Sequence, residues 1–126
     1  MTLLVQMDLG LFLMRLGVGI VFLYHAYGKL KGPGMMAKGL GWKSWQVTLL
    51  GLVEAIGALS VALGVYAPYG AGALALVMIG AIYYKTMKWK VSFSPWDKTG
   101  WEFDLTLLAV SLAIFLGNVG AYALFP

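Results

Sequence analysis

Residues 51–64 read GLVEAIGALSVALG, a run of small and apolar side chains with one carboxylate, Glu54, set inside it. Whether this stretch folds in water or in lipid decides the fold, and composition answers. Of 126 residues 61% are hydrophobic and only 11% charged, with mean hydropathy +0.84. A soluble domain of this size could not cover its core with so few charges. The chain therefore reads as an integral membrane protein. Working outward, four apolar stretches stand out, residues 9–30, 47–65, 67–87 and 101–118, each near the roughly 20 residues that cross a hydrocarbon core about 30 Å thick. Strands of a membrane barrel would alternate polar and apolar residues, whereas these stretches are apolar on every face and rich in glycine. The expected fold is all-α, an antiparallel four-helix bundle in one transmembrane domain over residues 1–126. The first stretch is too long for the core of a cleaved signal and has nothing basic before Arg15, so it is expected to stay as an anchor.

Lysine placement predicts the orientation. Lys29, Lys31, Lys38 and Lys43 lie in or beside the first connection, and Lys85, Lys88, Lys90 and Lys98 in or beside the third. The positive-inside rule puts both connections in the cytoplasm and both termini outside. Trp42, Trp45, Trp89, Trp96 and Trp101 flank the same connections, as aromatic residues at a bilayer interface do. The net charge of +4 is read as membrane-surface charge, with no role in nucleic-acid binding. The turn around Tyr66-Ala67-Pro68-Tyr69 leaves room only for a helical hairpin, with Pro68 in a first turn that tolerates it. The third connection, KWKVSFSPWDKTG (88–100), serves either as an interfacial anchor or as a contact for a partner or ligand.

Lipid gives apolar side chains no reason to leave it, so helices associate where small residues let backbones approach. Gly51, Gly57 and Ala58 share the side of the second span that carries Glu54, which turns the carboxylate inward. Gly70, Ala73, Val77, Ala81 and Tyr84 form a mostly small face on the third. Counting along each helix from its lysine-rich end, His25 lies roughly 8 Å deep, Glu54 roughly 10 Å and Tyr83 and Tyr84 roughly 5 Å. Glu102 and Asp104 open the fourth span at the same end. A polar pocket in the cytoplasmic half is expected.

An ionisable group at such depth costs about 2.5–3.5 kcal/mol on insertion scales, so each needs a partner or a task. Glu54 is either a hydrogen-bonded carboxyl that pins helix register or a proton acceptor or ligand contact. His25 is either a satisfied interior histidine or a ligand contact, since a neutral imidazole can donate to one group and accept from another. Asp104 reads as a helix cap. Arg15, about 15 Å along the helix from His25, either holds the structure together, through Asp8, Asn118 or the outer headgroups, or recognises an anion. With no cysteine and one histidine, dithiol chemistry, iron–sulfur clusters and bis-histidine haem are outside its reach, and no cluster has metal-ligand spacing.

Three segments, LFLMRLGVGIVFLYHAYGKL (11–30), GLVEAIGALSVALGVYAP (51–68) and GWEFDLTLLAVSLAIFLG (100–117), resemble the DoxX family of small four-helix membrane proteins, over about residues 9–118. Arg15, His25, Gly28, Lys29, Glu54, Gly57 and Glu102 carry the likeness. Tyr84 and Lys85 stand where many members have a histidine, and the tail GNVGAYALFP departs from the family's. The resemblance implies a redox association, since members include a membrane subunit of a thiosulfate:quinone oxidoreductase. The expected function is accordingly a subunit of a quinone-linked redox complex, in sulfur or thiol oxidation, with a quinone-like ligand as its cofactor and no metal or haem. The candidate ligand-binding residues are His25, Glu54, Tyr84, Glu102 and Arg15, with no catalytic residue assigned. Expected partners are the bilayer and other redox subunits, with a homo-oligomer left open. The alternative is a non-catalytic scaffold or assembly factor that docks partner proteins.

Overall fold

A computed structural model describes residues 2–117 and 119–125. The chain is helical, with α1 at Leu3–Lys31, α2 at Pro33–Leu40, α3 at Ser44–Leu63, α4 at Ala67–Tyr83 and α5 at Trp101–Leu116. α4 runs on into a π-helical turn, Tyr84–Lys88. Three helices among the described residues, Leu3–Lys31, Ser44–Leu63 and Ala67–Lys88, are long and apolar enough to cross a membrane. α5 is equally apolar in character but has 16 residues; the last residue of the expected fourth span, Asn118, lies outside the described ones.

Each element has a local cause. Thr2 caps α1, its hydroxyl accepting from Val5 N–H. Gly32 then breaks the helix and Pro33 opens α2, at a position where its missing N–H costs nothing. This short helix inside the first connection was not expected from sequence. Gly64, in the left-handed conformation at φ 72°, ends α3, and Tyr66 at φ 50° turns the chain into α4 with Pro68 in its first turn. The tight hairpin read from the sequence is thus present.

α1 packs along α3, α3 along α4 and α4 along α5, while α1 and α5 meet only lightly. Phe22, Ala58, Val61, Ala71, Leu74, Leu107 and Ile114 meet in the centre. Only 28–33% of the most apolar window of each long helix is buried, and the remainder shows Leu13, Ile20, Leu52, Ile56, Leu76 and Ile79 outward. An apolar exterior over a small-residue interior is what a bilayer selects. The small residues act as read: a Cβ on Gly57 would sit 3.1 Å from Leu74, and one on Gly19 2.7 Å from the Ala62 Cβ.

The C-terminal segment folds back over the end opposite the lysines. Leu124 and Phe125 N–H donate to Leu63 and Gly64 carbonyls, and Tyr66 N–H donates to Phe125.

Candidate functional site

Glu54, at 1% exposure, faces the interior as its glycine-flanked position demands. Its Oε2 accepts from Lys29 Nζ at 2.8 Å. Lys29 follows His25 by one turn, so the two share a face of α1, and both line a cavity of about 500 Å³ at the lysine-rich end. The His25 ring lies 5.4 Å from Phe103 of α5. Across the cavity Lys85 Nζ stands 2.7 Å from Asp104 Oδ2. This contact has the distance of an ion pair without the angle of a hydrogen bond, and Oδ2 has no hydrogen-bond partner among the described residues.

Tyr84 opens the π-helical turn, where Trp89 N–H bonds back five residues to the Tyr84 carbonyl at 2.8 Å. Turns of this kind are rare and concentrate at functional sites. More residues per turn bring adjacent side chains closer in angle, and here both Tyr84 and Lys85 reach the cavity. The Tyr84 oxygen accepts from Trp42 Nε1 at 2.9 Å, which leaves the phenolic proton free to be donated elsewhere. Trp89, whose Nε1 donates to the Gly39 carbonyl at 3.1 Å, ties the π turn to α2. Met36 and Leu40 of α2 complete the wall.

Three of the five expected site residues, His25, Glu54 and Tyr84, therefore meet in one cavity. Glu102 and Arg15 do not line it. Glu102 lies two residues before Asp104, too great a rotation to share its face, and its Oε1 accepts from Ser94 Oγ at 2.7 Å outside the cavity. Asp104 occupies the inward position instead, buried at 4% exposure, and is more than a helix cap.

Arg15 lies at the far end, fully buried. Its guanidinium donates to the Val61 carbonyl at 3.4 Å and to the Tyr122 carbonyl. Of the partners expected for it, Asp8 instead accepts from Ala121 N–H at 3.1 Å, and Asn118 is outside the described residues. The arginine thus fastens α1, α3 and the C-terminal segment together.

Sequence reasoning set Asp104 at the level of the pocket but read it as a cap and not as a ligand contact, and it missed Lys29, Lys85 and Trp42 as cavity residues. Asp104 had a signal: it begins the stripe continued by Leu107, Ser111 and Ile114, all buried at helical spacing. Lys85 and Trp42 had none, because a π turn and a broken connection place them.

Among the described residues no three histidine or acidic side chains come together as a metal site would require. Two cations, Lys29 and Lys85, face two carboxylates, Glu54 and Asp104, so the ionic groups balance. The family model described as DoxX matches residues 10–87. No curated protein and no solved structure matches the chain.

Proposed function

The chain belongs to the DoxX family of membrane proteins, and from that premise we propose that it is a membrane subunit of a quinone-linked redox complex, in sulfur or thiol oxidation, that seats the head of a quinone-like ligand in the cavity between α1, α3, α4 and α5. α5 is taken as the fourth crossing of an antiparallel four-helix bundle. The lysine-rich connections face the cytoplasm and both termini lie outside.

The carrying observation is the cavity itself. About 500 Å³ with apolar walls and a few convergent polar groups suits an aromatic head of modest size. Because the cationic and anionic side chains are already paired, the space favours a neutral ligand over an anion such as thiosulfate. When bound, a quinone supplies the two-electron, two-proton couple that links a donor subunit to the membrane pool. The protein's part is positioning and proton supply. The Tyr84 hydroxyl, already accepting from Trp42, donates to one carbonyl position and His25 to another. Glu54, held by Lys29, exchanges the proton that accompanies reduction. Lys85 and Asp104 connect the site with water, because Lys85 also donates to the exposed Thr99 hydroxyl at 3.3 Å.

Titration of reconstituted protein with a short-tailed benzoquinone tests this. His25→Phe and Tyr84→Phe should each weaken binding about tenfold, the loss of one good hydrogen bond. Unchanged affinity in both variants would remove the assignment.

One feature favours docking as well. Trp96 is 99% exposed, in a connection that also carries Lys88, Lys90 and Lys98. A scaffold reading predicts that a partner subunit co-purifies even when the cavity residues are replaced and no quinone is extracted.

A further inference from the structure

The cavity is not closed against the bilayer. Along the seam between α3 and α4 its wall consists of Val53 at 39% exposure, Leu76 at 71% and Gly80, residues on the outward side of both helices. A second hollow of about 590 Å³ starts at the same seam, sharing Val53 and Ala73 with the first. It runs away from the lysine-rich end past Ile56 and Leu59 to Leu63, Tyr66 and Tyr69. From Val53 to Leu63 α3 rises about 15 Å.

Three properties say what the groove suits. Its floor is low because Gly57, Gly70 and Ala73 line it without large side chains. The one hydroxyl in its middle, Ser60 Oγ, already donates its proton to the Val65 carbonyl at 2.7 Å, so it has no donor left for a carbonyl or hydroxyl oxygen of a ligand. It leads directly from the residue beside Glu54 towards the opposite surface, the path a hydrocarbon tail would follow if its head lay next to that carboxylate.

We infer that the α3–α4 seam is a lateral portal from the lipid, and that the groove from Val53 and Ala73 towards Tyr66 and Tyr69 holds the prenyl tail of the molecule whose head occupies the cavity. This rests on the quinone reading above. It adds that entry is sideways from the bilayer and that the tail contributes to recognition. Unbranched detergents and a second copy of the chain are the competing occupants.

The test uses the whole chain in lipid nanodiscs and two probes, a benzoquinone with a polyprenyl tail and the same benzoquinone without one. Affinities are expressed per mole fraction in the lipid so that partitioning cancels. The tailed probe should bind about tenfold or more tightly. Leu59→Trp, which fills the groove beyond the cavity at a residue that lines the groove alone, should abolish that preference while leaving the tail-less affinity within about twofold, below the 1.4 kcal/mol of a tenfold change. Ile56→Trp fills the groove from its lipid-facing rim without entering the packed seam, and should do the same if Leu59→Trp does not fold. Equal affinities for the two probes, or a preference that survives in a folded Trp variant, would overturn the portal and leave the head site standing. Failure of both probes to bind overturns both readings. Native mass spectrometry of a dimer that disappears in Ile56→Trp would assign the groove to a second copy instead.

Discussion

At the scale of single residues, the Lys29–Glu54 pair explains how a carboxylate survives in a segment as apolar as 51–64. With side-chain exposures of 12% and 1%, the pair is largely removed from water. Removing one partner strands the other's charge, whereas replacing both by apolar groups of similar volume is often neutral. Lys29→Met should therefore destabilise the protein by about 3–5 kcal/mol, and Lys29→Met with Glu54→Leu should recover most of that loss in thermal unfolding measured in bicelles. If the double variant is as unstable as the single one, the pair is not the reason Glu54 is tolerated. Depth counting from the sequence places His25 and Glu54 at one level, and both line the same cavity. It could not assign the carboxylate's partner, because Lys29 reaches it across a helix interface whose rotation no single sequence encodes.

Between elements, the glycines divide into those that set helix separation and those that do not. Gly17 and Gly19 sit in the same turn of α1, yet a Cβ on Gly17 would meet nothing within 4 Å while one on Gly19 would lie 2.7 Å from Ala62 Cβ and 3.1 Å from the Ala58 carbonyl. Gly17→Ala should accordingly stabilise the helix by roughly 0.5–1 kcal/mol, and Gly19→Ala should lower the unfolding temperature by forcing α1 away from α3. Equal shifts for the two would mean that close approach does not hold these helices. Arg15 works between elements too, since its guanidinium binds carbonyls of α3 and of the C-terminal segment. Charge-assisted bonds of this kind are worth about 1.5–3 kcal/mol. Arg15→Met should therefore raise amide exchange of residues 119–125 about tenfold or more while leaving the α3–α4 hairpin protected.

For the molecule as a whole, what was legible depended on how far each feature relies on distant contacts. Helix class, the hairpin at Tyr66–Tyr69 and the inward face around Glu54 follow from composition and local periodicity, and all three are present. α2, the π turn and the folded-back tail rest on tertiary contacts such as Trp89 with Gly39 and Phe125 with Tyr66, for which local patterning carries no sign. Orientation in the bilayer is a different kind of property, set by the insertion machinery's response to lysine placement. The lysines of the first and third connections predict that both stretches stay in the cytoplasm. Because the chain has no cysteine, single cysteines can report this directly. Trp96→Cys and Tyr69→Cys both place a thiol at sites that are 99% and 77% exposed, at opposite ends of the protein. In intact cells a membrane-impermeant maleimide should label Tyr69→Cys at least about tenfold faster than Trp96→Cys, and permeabilisation should bring the two rates together. Labelling in the reverse order would invert the protein in the membrane, moving the cavity and its paired charges to the outer half and away from any cytoplasmic electron donor.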